Sequence, residues 1–168
     1  MQTCEKNVET AACEIKLEDI RLSSTKVCFV CTGNTCRSPM AAAVLNHYGA
    51  KYGFKAESAG LYAVTGEPIT PAAEQVLRDA QIADTPENNY SAHRSRVICE
   101  ETVRSCDIIV GISDSHMMAL ITMFPAYASK ITSLPKNISD PYGGDAGVYA
   151  VCLGEITSAV RDMFKLND

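Results

Sequence analysis

The sequence predicts an α/β fold, a four-stranded parallel sheet flanked by helices. Short apolar runs of strand length alternate with stretches whose apolar residues recur at helical spacing. The run "DIIVGIS" at 107–113 is apolar on successive positions and bounded by polar residues, the pattern of a strand buried on both faces. Strands that alternate with helices pair in parallel and are covered on both sides. A third observation places chemistry in this frame. The first apolar run ends in Cys31, and Arg37 stands at the mouth of the helix that follows.

The elements are expected in this order. Residues 1–25 are polar and mostly acidic, an extension with one marginal helix or strand around "EIKLEDIRL", and the domain proper is expected over 26–168. "KVCFVC" is the first strand. "SPMAAAVLNHYGAKYG" is a helix, with Pro39 in its first turn and a glycine to stop it. "KAESAG" is the second strand. In "TPAAEQVLRDAQI", Thr70 is a suitable N-cap and Pro71 suits the first helical position. "VICEETVRSC" reads as a shorter helix before the strand "DIIVGIS". "SDSHMMALITMF" is helical up to Pro125, "SKITSL" is the last strand, and "VYAVCLGEITSAVRDMFKL" is a long C-terminal helix. The long irregular pieces are then Gly60–Ile69 and Leu134–Gly147. In open α/β sheets ligands bind beyond the carboxyl ends of the strands, so these loops and the one after Cys31 converge.

With 168 residues, 46% of them hydrophobic and 21% charged, the chain has the composition of one globular domain that needs no staples. A net charge of −5 weighs against nucleic acid or an anionic membrane as partner, though a local field can still hold an anionic substrate. No apolar run approaches the length of a transmembrane helix, and the first twenty residues are too acidic for a secretory signal. A cytoplasmic setting is therefore expected, with the eight cysteines reduced.

A strand-to-helix turn of small polar residues and glycine, here Thr32, Gly33, Asn34, Thr35 and Cys36, turns backbone N–H groups inward and binds an anion together with the helix N-terminus. Arg37 adds a planar fork that grips two phosphate oxygens. That field favours a thiolate at Cys31, a nucleophile toward phosphorus, and stabilises the equatorial oxygens in the transition state. Other readings of these cysteines are weaker. Cys28 fits an inert core thiol. C-x2-C from Cys28 to Cys31 would put the two side chains on opposite faces of a strand, with no second ligand pair following, so no metal is expected. The nucleotide-binding pattern G-x4-G-K-[ST] is absent. Cys36, five residues from Cys31, is close enough for a reversible disulfide that would protect the nucleophile.

"VCTGNTCRSPMA" resembles the phosphate-binding loop of the low-molecular-weight protein-tyrosine phosphatase family. "ESAG", "SAHRSR", "DIIVGISDSH" and "DPYGG" follow in the family's order. The resemblance covers the chain from about Lys26 to the last helix. It implies a central four-stranded parallel sheet and hydrolysis of a phosphorylated protein through a phosphocysteine, with no cofactor. Cys31 matches the nucleophile, Arg37 the phosphate-gripping arginine, and Asp140 the acid that protonates the leaving group and then activates water. Taken alone, "DPYGG" is only a turn. Asn34 matches the residue that shapes the loop, Ser38 the hydroxyl bonded to the thiolate, and Ser58 and His93 the residues that brace the loop. Tyr62 and Tyr142 would wall the substrate.

"CTGNTCRS", with Thr35 before Cys36, is similar to the bacterial protein-arginine phosphatases of this family. There the threonine favours water attack and phosphoarginine as substrate. Glu67 or Asp140 would then supply the acidic wall a guanidinium wants. A compatible small residue at position 35 leaves phosphotyrosine open. Arsenate reductases share the loop and add a resolving pair. Cys99 and Cys106 have such a spacing, but both precede "DIIVGIS" and Ser113 stands where a cysteine would be wanted. A non-catalytic phosphate-binding module would need neither the thiolate nor the acid.

Overall fold

The computed structural model describes residues 24–167. The marginal element expected around "EIKLEDIRL" lies outside them. Four strands, β1 (Thr25–Cys31), β2 (Phe54–Gly60), β3 (Ile108–Gly111) and β4 (Ile131–Ser133), form one sheet in the order β2-β1-β3-β4. Every pairing is parallel, with Cys31 beside Gly60 and Val30 beside Gly111. The order reverses between β1 and β3, so the crevice for a ligand opens beyond the carboxyl ends of those two strands.

Alternation along β1 divides the core. Val27, Phe29 and Cys31 face α1 (Arg37–Gly49), α2 (Pro71–Asp79) and α5 (Ala146–Phe164). Cys28 and Val30 face α3 (Glu100–Ser105) and α4 (Asp114–Met123). Cys28 and Cys31 thus lie on opposite faces, as the strand reading required. The alanines of α1 are buried in succession, because a helix wedged between the sheet and α5 has room only for small side chains along that stretch. The helix starts at Arg37, which puts Pro39 in the first turn. It gives way to a 3-10 turn over Ala50–Tyr52, and Gly53 at φ 83° stops it.

Two expectations are corrected, and a third holds with a different hydrogen bond. Thr70 sits at the N-cap of α2, but its side chain makes no cap bond. Its hydroxyl lies 3.5 Å from Cys36 Sγ instead. The helix expected from Val97 begins only at Glu100, because Val97 bridges Gly60 and Ile98 N–H donates to the Gly60 carbonyl, which extends β2's edge. The chain between α2 and α3 is a long irregular segment that the periodicity did not reveal. Its first half is held mostly by local and side-chain bonds: Asn88 Nδ2 donates to the Ala43 and Ala83 carbonyls, and Tyr90 Oη to the Ile82 carbonyl. That segment carries His93 and Arg96 to the end of the sheet.

Candidate active site

Cys31 is the last residue of β1, and α1 begins six residues later. The turn between them curls around the Cys31 thiol. Asn34 N–H donates to Sγ at 3.3 Å, and Ser38 Oγ lies 3.0 Å from it. The Ser38 hydroxyl also lies 3.3 Å from the Ala59 carbonyl, so its one proton serves either the sulfur or that oxygen.

Asn34 sets the shape of the loop. It adopts φ 58°, a conformation asparagine tolerates better than most residues, and it is fully buried. Its Nδ2 donates to Ser38 Oγ and Ser58 Oγ, each at 2.9 Å, and its Oδ1 accepts from Arg96 N–H at 3.0 Å. His93 Nε2 donates to the Asn34 carbonyl at 2.7 Å. Gly60 allows this packing: a Cβ there would lie 2.6 Å from the Thr32 carbonyl oxygen. Ser58 and His93, expected to brace the loop, both touch Asn34.

A cavity of about 280 Å³ opens over the turn. Cys31 and the loop Thr32–Cys36 form its floor, with Arg37, Asp140, Tyr62, Val64, Glu67 and Tyr142 around it. Arg37, nearly buried, donates to the Ile138 carbonyl at 3.2 Å and pairs with Asp140 Oδ2 at 3.2 Å. Asp140 is more than half exposed, and its other oxygen accepts from Tyr142 N–H. Tyr62 and Tyr142 stand at the rim with 74% and 78% of their surface exposed, free to lie against an incoming group. The structure thus brings the expected loop residues, Arg37, Asp140 and the two tyrosines to one cavity, with Ser38, Ser58 and His93 behind it. Cys36 is turned aside: its thiol lies 3.3 Å from Tyr149 Oη and 3.5 Å from Thr70 Oγ1. Both Cys31 and Cys36 are free thiols, and a disulfide would require Cys36 to leave those partners.

Sequence reasoning passed over His116 and Ser95. His116 Nε2 lies 3.0 Å from Thr32 Oγ1 and Nδ1 lies 2.7 Å from Ser113 Oγ. Burial, with the nearby Arg37 charge, pushes its pKa down to about 4. It is therefore a neutral link between the β3 end and the phosphate loop. It stood inside the quoted stretch "DIIVGISDSH", and only the packing of α4 shows what it touches. Burial also lowers the pKa of His93, so it too supports the loop as a neutral ring. Ser95 is buried and staples the rim segment: its N–H donates to the Glu67 carbonyl, its Oγ accepts from Glu67 N–H, and its carbonyl accepts from Gly66 N–H. This holds Glu67 over the cavity.

A thiol held by the Asn34 N–H and the Ser38 hydroxyl, with a guanidinium and a carboxylate around the same cavity, has the makings of phosphoryl transfer. Comparison with known proteins agrees with this chemistry. The sequence model of the family described as "Low molecular weight phosphotyrosine protein phosphatase" matches residues 26–167. A protein-arginine-phosphatase of Bacillus subtilis (strain 168) is 30% identical over 148 residues, 83% of this chain and 94% of the relative. The low molecular weight protein-tyrosine-phosphatase PtpB of Staphylococcus aureus is 29% identical over 149 residues, 85% of this chain and 97% of the relative. The solved low molecular weight protein tyrosine phosphatase from T. tengcongensis superposes with a TM-score of 0.77 at 32% identity, over 84% of this chain and 99% of that one. With the match running from β1 to the end of α5 and so taking in the whole cavity, this chain belongs to the low molecular weight phosphotyrosine protein phosphatase family.

Proposed function

We propose that the chain hydrolyses phosphoarginine in proteins through a phosphocysteine on Cys31. The observation that carries the chemistry is the Cys31 sulfur within hydrogen-bonding reach of Asn34 N–H and Ser38 Oγ, in a cavity that also holds Arg37 and Asp140. The Cys31 thiolate attacks phosphorus as Arg37 and the loop N–H groups hold the equatorial oxygens. An S–P bond forms and the bond to the leaving group breaks. Asp140 gives its proton to the departing nitrogen. A water then attacks the phosphocysteine, Asp140 takes its proton, the S–P bond breaks, and inorganic phosphate leaves with Cys31 restored.

The substrate rests on two supports. Thr35 places a small hydroxyl on the cavity floor, and Glu67 and Asp140 put two carboxylates on its wall, a suitable counter-charge for a guanidinium. The Bacillus subtilis relative is named for the same activity. Phosphotyrosine is the second reading, favoured by Tyr62 and Tyr142, which can flank a phenyl ring at the rim. Arsenate reduction has less support. Neither Cys99 nor Cys106 lines the cavity, and the Cys106 thiol donates to Glu57 at 3.2 Å among residues on the far face of the sheet.

Initial rates on phosphoarginine, phosphotyrosine and phosphoserine peptides, side by side with arsenate plus a thiol donor, test these readings. Phosphoarginine should give the highest kcat/KM. A higher value for phosphotyrosine would replace the first reading by the second.

A further inference from the structure

Asp140 belongs to two depressions. Beyond the phosphate cavity it edges a groove of about 470 Å³ along the first turns of α5, lined by Pro141, Val148, Val151 and Cys152, with Asp145 and Glu155 also at its border. Val148, Val151 and Glu155 fall on one helical stripe. The core side of α5 is a different stripe, made of Tyr149, Leu153, Ile156 and Val160. Val148 and Val151 are 47% and 64% exposed. Burial holds the Cys152 thiol neutral, with its pKa pushed up to about 12, so it adds no charge between the two valines. Three carboxylates border the groove, and no lysine or arginine lines it among the described residues.

We propose that this groove receives the polypeptide flanking the phosphorylated residue, and that it selects an apolar side chain near that residue with a lysine or arginine beyond it. The proposal rests on the phosphatase reading and names the sequence class of its substrate. Its ground is continuity. Asp140 lines both the cavity and the groove, so a chain that leaves the cavity on the Asp140 side passes over Val148 and Val151. Charge selects among occupants. A second copy of this chain carries a net charge of −5 and would bring its own acidic surface to an acidic border. Residues 1–23 of the same chain carry Glu5, Glu9, Glu14, Glu18 and Asp19 against Lys6, Lys16 and Arg21, and match the border no better. A basic, partly apolar segment answers both the floor and the border.

The test compares kcat/KM for two phosphopeptides with that for 4-nitrophenyl phosphate, which fills only the cavity. In one peptide leucine and arginine flank the phosphorylated residue on either side; in the other serine and glutamate replace them. The wild type should prefer the first by about tenfold, the scale of one apolar contact in a pocket. Val151→Asp should remove most of that preference, and Glu155→Lys should shift it toward the acidic peptide. Turnover of 4-nitrophenyl phosphate should stay within about twofold in both variants. Equal efficiency of the wild type on the two peptides, or variants that slow all three substrates in parallel, would overturn the proposal. So would a dimer that forms with rising concentration and is lost in Val151→Asp, since the groove would then be an interface between copies. Failure of the phosphatase reading looks different: 4-nitrophenyl phosphate would not be hydrolysed, or its hydrolysis would survive Cys31→Ser.

Discussion

The Arg37 guanidinium stands 3.2 Å from the Asp140 carboxylate, across the mouth of a cavity whose floor holds the Cys31 thiol. A phosphate dianion entering that cavity competes with Asp140 for the guanidinium and offers it two oxygens in its own plane. Arg37 also donates to the Ile138 carbonyl, which ties the guanidinium to the loop before Asp140. In the proposed reaction that competition frees Asp140 to face the leaving group.

Replacing Asp140 by Asn removes that proton. Turnover of substrates with poor leaving groups should fall by about 10²–10⁴, the usual span for general acid catalysis. The loss should be much smaller for 4-nitrophenyl phosphate, whose leaving group departs without help. Parallel losses on both would assign Asp140 to binding alone.

Cys31→Ser should abolish turnover, whereas Cys28→Ala should retain most of it. Cys28 faces the far side of the sheet and packs among α3 and α4 residues. Acid quenching of the wild type during turnover, followed by peptide mapping, should find the phosphoryl group on Cys31. Its appearance on another side chain would end the nucleophile assignment.

Thr35→Ile should shift the ratio of catalytic efficiencies from phosphoarginine toward phosphotyrosine. An apolar side chain fills the floor and removes a hydroxyl that can hold water near the phosphocysteine. One side chain acting through pocket volume and polarity is worth roughly a 10–200-fold change in that ratio. An unchanged ratio would detach Thr35 from specificity.

Asn34→Ala should lower stability by about 2–4 kcal/mol, because it forces alanine into the left-handed region and removes the donors to Ser38 and Ser58. Urea unfolding reads the loss directly. Turnover should fall as well, since the same side chain links the loop to Arg96.

His116 gives a pH signature. Its pKa is lowered to about 4 in the fold against an ordinary value near 6.5. Between those values the unfolded chain binds more protons than the folded one, so this residue's contribution makes stability rise with pH. Stability should therefore fall as pH drops from about 6.5 to about 4. In His116→Gln the fall over that window should be shallower, measured as the midpoint of thermal unfolding at each pH. Parallel curves for the two proteins would show that His116 is not the group responsible.

Much of this protein was legible in its sequence, for local reasons. The four apolar runs, the proline-started helices and the glycine stops mark β1 to β4 and the main helices, because strand and helix periods and backbone dihedral preferences act over a few residues. The spacing from Cys31 to Arg37 marks a phosphate cradle for the same reason: a single turn holds both groups. The tertiary structure decided what no local pattern encodes. The segment between α2 and α3 has no period, and its path follows from Asn88, His93 and Arg96 finding partners on α1 and the phosphate loop. Thr70 looked like a helix cap, yet its hydroxyl lies beside Cys36, and Cys36 is drawn from Cys31 toward Tyr149 on the last helix. His116 and Asp140 reach the site only because β3 and β4 pair on one side of β1 and carry their following loops to the same end. Contacts between residues far apart in sequence depend on how the layers pack, and that packing is a property of the whole core.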